Sequence, residues 1–194
     1  MIIRLYFLSL WSFIDPIYFA FTRLQYLHSK QHFSIFRVRL TKYKGRNVTL
    51  SDGTQIKKND LLVKIHLHNV RLYKEVMFQS NSISRGKTIY RMVQQSFPSL
   101  ADYVQHHPKQ EKIKGVIGIT MINKGIKKLG FETAEPKNHY YIWLKKLTQI
   151  PIYFLFASDL KVNHVKRQKP TYLFMSKSQL MKKYRQNHPS TISH

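Results

Sequence analysis

The stretch KIHLHN, Lys64 to Asn69, sets two histidines one residue apart in a chain without cysteine. Successive side chains of a strand alternate between its faces, so His66 and His68 point the same way as Lys64, and Val63, Ile65 and Leu67 point the other way. Two imidazoles on one face can ligate a metal, serve as a general base, or join Asn69 and Arg71 in an anion or sugar-phosphate surface. A metal needs a third ligand and usually a carboxylate behind the histidines, and neither stands nearby. Lys64 on the same face would oppose a divalent cation. The expectation is therefore no metal and no cofactor. An ordinary polar strand face is the plainest reading, and an anion surface or a general base at His66 or His68 are the alternatives that carry function.

A second pattern points to anions. Ser176 reads as the N-cap of a short helix whose first turn carries Lys177, which opposes the helix dipole and favours a bound anion. A solvated lysine is the plain alternative. The binding set to be tested is Lys64, His66, His68, Asn69, Arg71, Ser176 and Lys177.

The 33 Lys and Arg residues against nine Asp and Glu leave a net charge of +24, so the partner should be an anion. Asp15 precedes a proline, Asp52 precedes Gly53 in a turn, and Asp60 closes the turn KKND. Glu75, Asp102, Glu111, Glu132, Glu135 and Asp159 remain, with no tight spacing suited to a metal or to paired acid-base work. Hydrolysis by two carboxylates is disfavoured. No acidic residue follows Asp159, while Lys161, Lys166, Arg167, Lys169, Lys177, Lys182, Lys183 and Arg185 do. Nucleic acid ranks below an anionic polymer or lipid surface as partner, because the aromatics occupy core-like positions and no recognition motif accompanies the charge.

A chain of 194 residues accommodates one such domain with extensions. The expected organisation is an apolar helical segment over residues 1–32, an α+β domain over 33–186 and a frayed end over 187–194. The run from Ile2 to Phe21 has nearly the length of a bilayer span, but Asp15-Pro16 reads as an N-cap and first helical residue that split it into two shorter helices. Packed or interfacial helices outrank a span, and a cleaved signal peptide is disfavoured. The expected location is cytoplasmic, with peripheral membrane attachment as an option. Oligomeric state is left open.

Period-two alternation over HFSIFRVRLTKY and LLVKIHLHN predicts antiparallel strands with a basic outer face. SDGT predicts a hairpin whose loop is longer than two residues, or bulged. Pro98 divides KTIYRMVQQSF from PSLADYVQHH as two helices. KGVIGITMI reads as a buried strand, NKGIKKL as a short helix capped by Asn123 and stopped at Gly130, and GFET as a strand, a tight β-α-β-like unit. NHYYIWLKKL reads as helix, and IPIYFLFA and Tyr172 to Met175 as strands. The fold class is α+β, an antiparallel or mixed sheet with helices from the N-terminal third and from residues 88 to 106 covering one face, and with Val63, Ile65 and Leu67 buried together.

Together WSFIDPIYFAFTRL, SDGTQIKKNDLLVKIHLHN, GITMINKGIKKLGFE and PTYLFMSKSQL resemble the YkoP-like family of spore-forming Firmicutes over nearly the whole chain. That resemblance implies small stand-alone proteins, some associated with sporulation, and a domain appended to the C-terminus of polysaccharide deacetylases. It places the chain near envelope glycan or glycolipid chemistry, with polysaccharide-processing enzymes as companions, and implies no reaction. The deacetylase metal motifs are missing, so deacetylation does not carry over. KKLGFE is also similar to a helix-to-strand turn of GNAT-type acyltransferases, but the Gly-rich pyrophosphate loop of that family has no counterpart among seven glycines.

Overall fold

The computed structural model describes residues 9, 12–13, 15–17, 19–27, 34–79, 81–120, 125–136, 142–143 and 170–185. Its centre is a six-stranded mixed sheet in the order β1-β2-β5-β6-β8-β7, beside a separate two-stranded ribbon, β3-β4. The strands are β1 Gln25–Tyr26, β2 Phe36–Lys42, β3 Val48–Thr49, β4 Gln55–Ile56, β5 Leu61–Leu67, β6 Ile113–Thr120, β7 Glu132–Ala134 and β8 Thr171–Ser176. Among the described strands only β5 and β6 run parallel. Such a pair needs a crossover, and α1 (Asn69–Val76) and α2 (Ser82–His106) supply it. The last described element is α3, Lys177–Tyr184.

Period-two alternation sorts the side chains of β2 and β5 between two differently covered faces. Phe36, Val38 and Val63 turn towards α2 and are buried with its Phe97, Leu100 and Val104. Ile65 packs partly against this core, but Leu67, the last residue of β5, is 36% exposed. The expected shared burial of Val63, Ile65 and Leu67 thus fails at its last member.

The opposite face is covered as well. Over one half lies the β3-β4 ribbon, whose Leu50 and Ile56 bury Leu62, Ile117 and Phe174. Over the other half the helical residues 15–17 and 19–22 lie against β2, with Asp15 bonded to Arg37 and the Thr22 carbonyl accepting from Arg39. The basic strand face is therefore roofed, and Arg37 is only 3% exposed. The N-terminal helix and α2 lie on opposite faces of the sheet, not on one.

Several other expectations are corrected. Residues 12, 13 and 15–17 are all helical, so Asp15 lies within helix and its carboxylate turns onto Arg37 where a cap had been expected. Pro98 lies inside one continuous α2; burial of Phe97, Leu100, Ala101 and Val104 holds the helix through a residue that can donate no hydrogen bond. The tight unit after β6 does not pair its own strands: β7 and β6 are separated by β8, which pairs with both. Its short helix is the 3-10 turn Lys127–Leu129, ended by Gly130 at φ 90° as expected. The hairpin loop is indeed longer than two residues: Val48 faces Ile56, and Gly53 at φ 82° donates to the Leu50 carbonyl across the turn. The cap expected at Asn123, most of NHYYIWLKKL, IPIYFLFA and the end over 187–194 fall outside the described residues. Among the described residues no helix is long and apolar enough to cross a membrane.

Candidate functional site

At the C-terminal end of β5 the chain leaves the sheet through His68, the residue before α1. Its amide donates to the Ile35 carbonyl, while its ring reaches the space between α1 and the N-terminal helix. There a cleft of about 350 Å³ is lined by Asp15, Phe19, Tyr26, Arg37, His68 and Lys74, among others. The N-terminal helix, β1, β2 and α1 meet in it, and Arg37 of β2 ties the first two together.

The Arg37 guanidinium donates from both terminal nitrogens to the two oxygens of Asp15, each at 2.7 Å, and Nη2 also donates to the Tyr26 hydroxyl at 2.8 Å. β1 makes this possible by pairing Tyr26 directly opposite Arg37. Phe19 and Tyr26 each hold a ring centroid 5.0 Å from the guanidinium carbon, so the charge is also stacked on aromatic surface. A fork of this kind fixes the carboxylate in direction as well as in charge.

His68 lies at the edge of this assembly. Its Nε2 is 3.8 Å from Asp15 Oδ2, and its ring centroid 5.9 Å from that of Tyr26. Burial, followed by the charge of Arg37, pulls its pKa below the ordinary 6.5; Asp15 acts against them, and Arg71 and Lys74 add to the lowering. The ring is accordingly neutral at physiological pH and able to accept a proton or a hydrogen bond.

The residues singled out in the sequence divide between two places. Lys64, His66 and His68 share the face of Arg37, with Arg37 opposite His66 and Arg39 opposite Lys64 in the β2-β5 register. Lys64 and His66 are half-buried on the sheet itself, whereas His68 lines the cleft. Asn69 and Arg71 follow in the first turns of α1, both half-buried. Ser176 and Lys177 lie elsewhere. Ser176 pairs with Gly115, which stands beside Leu62 at the start of β5, so about 20 Å of strand separates that level from His68. Lys64, His66, His68 and Lys177 do not line one cleft. Asp15, Arg37 and Tyr26 were missed because no local pattern links residues that meet only in the fold, and Lys74 because nothing local marks which side of α1 faces the cleft.

A model described as the YkoP domain matches residues 4–184. The chain belongs to the YkoP family. A Bacillus subtilis (strain 168) protein bearing the description "Uncharacterized protein YkoP" is 49% identical over 178 residues, which is 92% of this chain and 96% of that one. No solved structure is significantly similar. Both the cleft and the start of α3 lie inside the matched YkoP residues.

At α3 the YkoP domain supplies its own anion. Ser176 caps the helix by accepting from the Gln179 amide at 3.0 Å and donates its hydroxyl to Asp52 Oδ2, which also accepts from Ser178 at 2.7 Å. Partial burial would raise the Asp52 pKa, but the hydroxyls of Ser176 and Ser178 and the Thr54 amide outweigh it and hold the carboxyl well below its ordinary 3.8. The Lys177 ammonium donates to the Gln110 carbonyl at 2.8 Å. Among the described residues, no three His, Asp or Glu side chains come together in a way that could hold a metal.

Proposed function

We propose that this YkoP domain is a basic accessory domain of the cell or spore envelope that binds phosphate groups of an envelope polymer or lipid. It would act peripherally at the membrane from the cytoplasmic side, in the company of polysaccharide-processing enzymes. The observation that carries this reading is where the few carboxylates go. Asp15 is held by Arg37, Asp52 accepts from two serine hydroxyls, Glu132 from the Ser51 amide and hydroxyl, and Asp60 from the Lys57 amide. Such acids are committed to internal hydrogen bonds, while Lys42, Lys58, Lys87, Lys114 and Lys182 are exposed with no ion pair among the described residues. A surface of that kind draws anions from a distance.

The cleft is where this diffuse field has a defined shape. Lys74 is exposed at its edge, Arg71 acts on it electrostatically, and His68 can donate or accept. Binding of fluorescent polyphosphate to wild type, Lys74→Glu and Lys114→Glu tests it. Loss of one charge-assisted hydrogen bond corresponds to about a tenfold weakening or more. Lys74→Glu is expected to show that loss and Lys114→Glu a smaller one. Equal losses would mean a field without a site, and no binding by wild type would remove the reading.

One observation favours a second reading, an enzyme acting on an envelope glycan or acyl substrate. His68 is held neutral, beside a fixed carboxylate and at an open cleft, which suits a general base. Of the two strand histidines named from the sequence, His68 faces the cleft and is the one to substitute. His68→Ala would abolish release of acyl groups from an acylated glycan if the domain is such an enzyme; a wild type that releases none would remove this second reading.

A further inference from the structure

The N-terminal helix has a second side that its packing leaves uncovered. Residues 12, 15, 16 and 19 line the cleft. Phe13, Ile17 and Phe21, spaced by four, form the opposite stripe and are 73%, 48% and 85% exposed. The bidentate Asp15–Arg37 bond and the Arg39 contact to the Thr22 carbonyl hold the inward side on the sheet, so the helix cannot roll to bury the stripe without breaking them. Two exposed phenylalanines and an isoleucine in one row need an apolar partner.

Charge says what kind. From Met1 to Leu50 the only acidic residue is Asp15, which is buried and neutralised by Arg37, and Arg23 at the helix end is exposed. Beside Phe21 a depression is lined by Arg23, Arg39 and His107. An apolar stripe flanked by cations, on a helix lying along the protein and not across a bilayer, matches an anionic lipid surface, with the stripe reaching the acyl boundary and the cations at the phosphates.

We infer that the outward face of the N-terminal helix, Phe13, Ile17 and Phe21 with Arg23, docks the domain on an anionic bilayer. This rests on the proposed phosphate-binding reading and selects the lipid surface as its setting.

The test is co-sedimentation of the full chain with vesicles of phosphatidylcholine alone or mixed with phosphatidylglycerol, for wild type and Phe13→Ser/Phe21→Ser. Both side chains are exposed, so the thermal melt should not change, and binding to soluble polyphosphate serves as a second check. Wild type is expected to partition onto the mixed vesicles, the variant at least tenfold less, with polyphosphate binding equal for both. Equal partitioning of variant and wild type would overturn the inference, as would equal binding to phosphatidylcholine alone. Wild type binding polyphosphate but no vesicle would overturn it while leaving the broader reading intact; binding neither would remove both. A wild-type dimer that the variant abolishes, with no vesicle binding, would assign the stripe to a second copy of the chain and overturn it too.

Discussion

Arg37 occupies a strand position that alternation alone would turn to water, yet it is among the most buried charges described. Its cost of desolvation is met by Asp15, the Tyr26 hydroxyl and two aromatic faces. Removing one partner of such a pair strands the other, typically at about 3–5 kcal/mol. Asp15→Ala is therefore expected to release the N-terminal helix while α2 and its core persist, seen as new proteolytic cleavage before Gln25 at temperatures well below the main melt. His68 has its own signature. Its folded pKa lies below the ordinary 6.5, so the unfolded chain binds the proton more readily, and stability present at neutral pH is lost as pH falls from the unfolded value through the folded one. A proton NMR titration of the His68 ring should give a midpoint below 6.5, with an upward move in Asp15→Asn contradicting the assignment, because that carboxylate favours the charged ring. At this scale the shared face of Lys64, His66 and His68 was legible from parity. The Asp15–Arg37 bond was not, since the two residues stand 22 positions apart and local cues offered Asp15 a cap.

Elements hold the site by fastening the covers to the sheet. The β3-β4 ribbon is tied at its loop by Asp52 to Ser176 and Ser178 and by Ser51 to Glu132. Replacing Asp52 by Ala leaves two hydroxyls to water and one cap weakened, an expected loss of about 1–2 kcal/mol in chemical denaturation. Because the Asp52 pKa is lowered on folding, this contribution is present above the ordinary 3.8 and lost as pH falls below it, so wild type and variant should converge in acid. Between β6 and β8 the tolerance is smaller still. A Cβ at Gly115 would stand 2.3 Å from the Met175 carbonyl oxygen, so Gly115→Ala should force the strands apart and destabilise by more than the Asp52 change. A hairpin with a loop longer than two residues could be read from Asp52-Gly53 and the alternation around it, and Ser176 and Gly130 announced a helix start and stop. Pro98 misled, because a proline signals a break locally while Phe97 and Val104 hold the helix through burial.

For the whole molecule, composition raises the expectation of an anionic partner, and the fold leaves the excess charge at the surface: Asp15, Asp52, Asp60 and Glu132 serve hydroxyls, amides and one buried guanidinium while lysines line the surface. What composition could not convey is that the two anion features of the sequence lie apart, one opening onto a cleft and the other already filled by Asp52. The sharpest test is the affinity for fluorescent polyphosphate as a function of sodium chloride. Exposed charges are screened within a Debye length of about 8 Å at physiological ionic strength. The logarithm of the binding constant is expected to fall steeply and linearly with the logarithm of salt, with a slope shallower in Lys74→Glu than in wild type. A binding constant that stays flat across the salt series, or no measurable binding at low salt, would contradict the claim that this is an anion-binding domain.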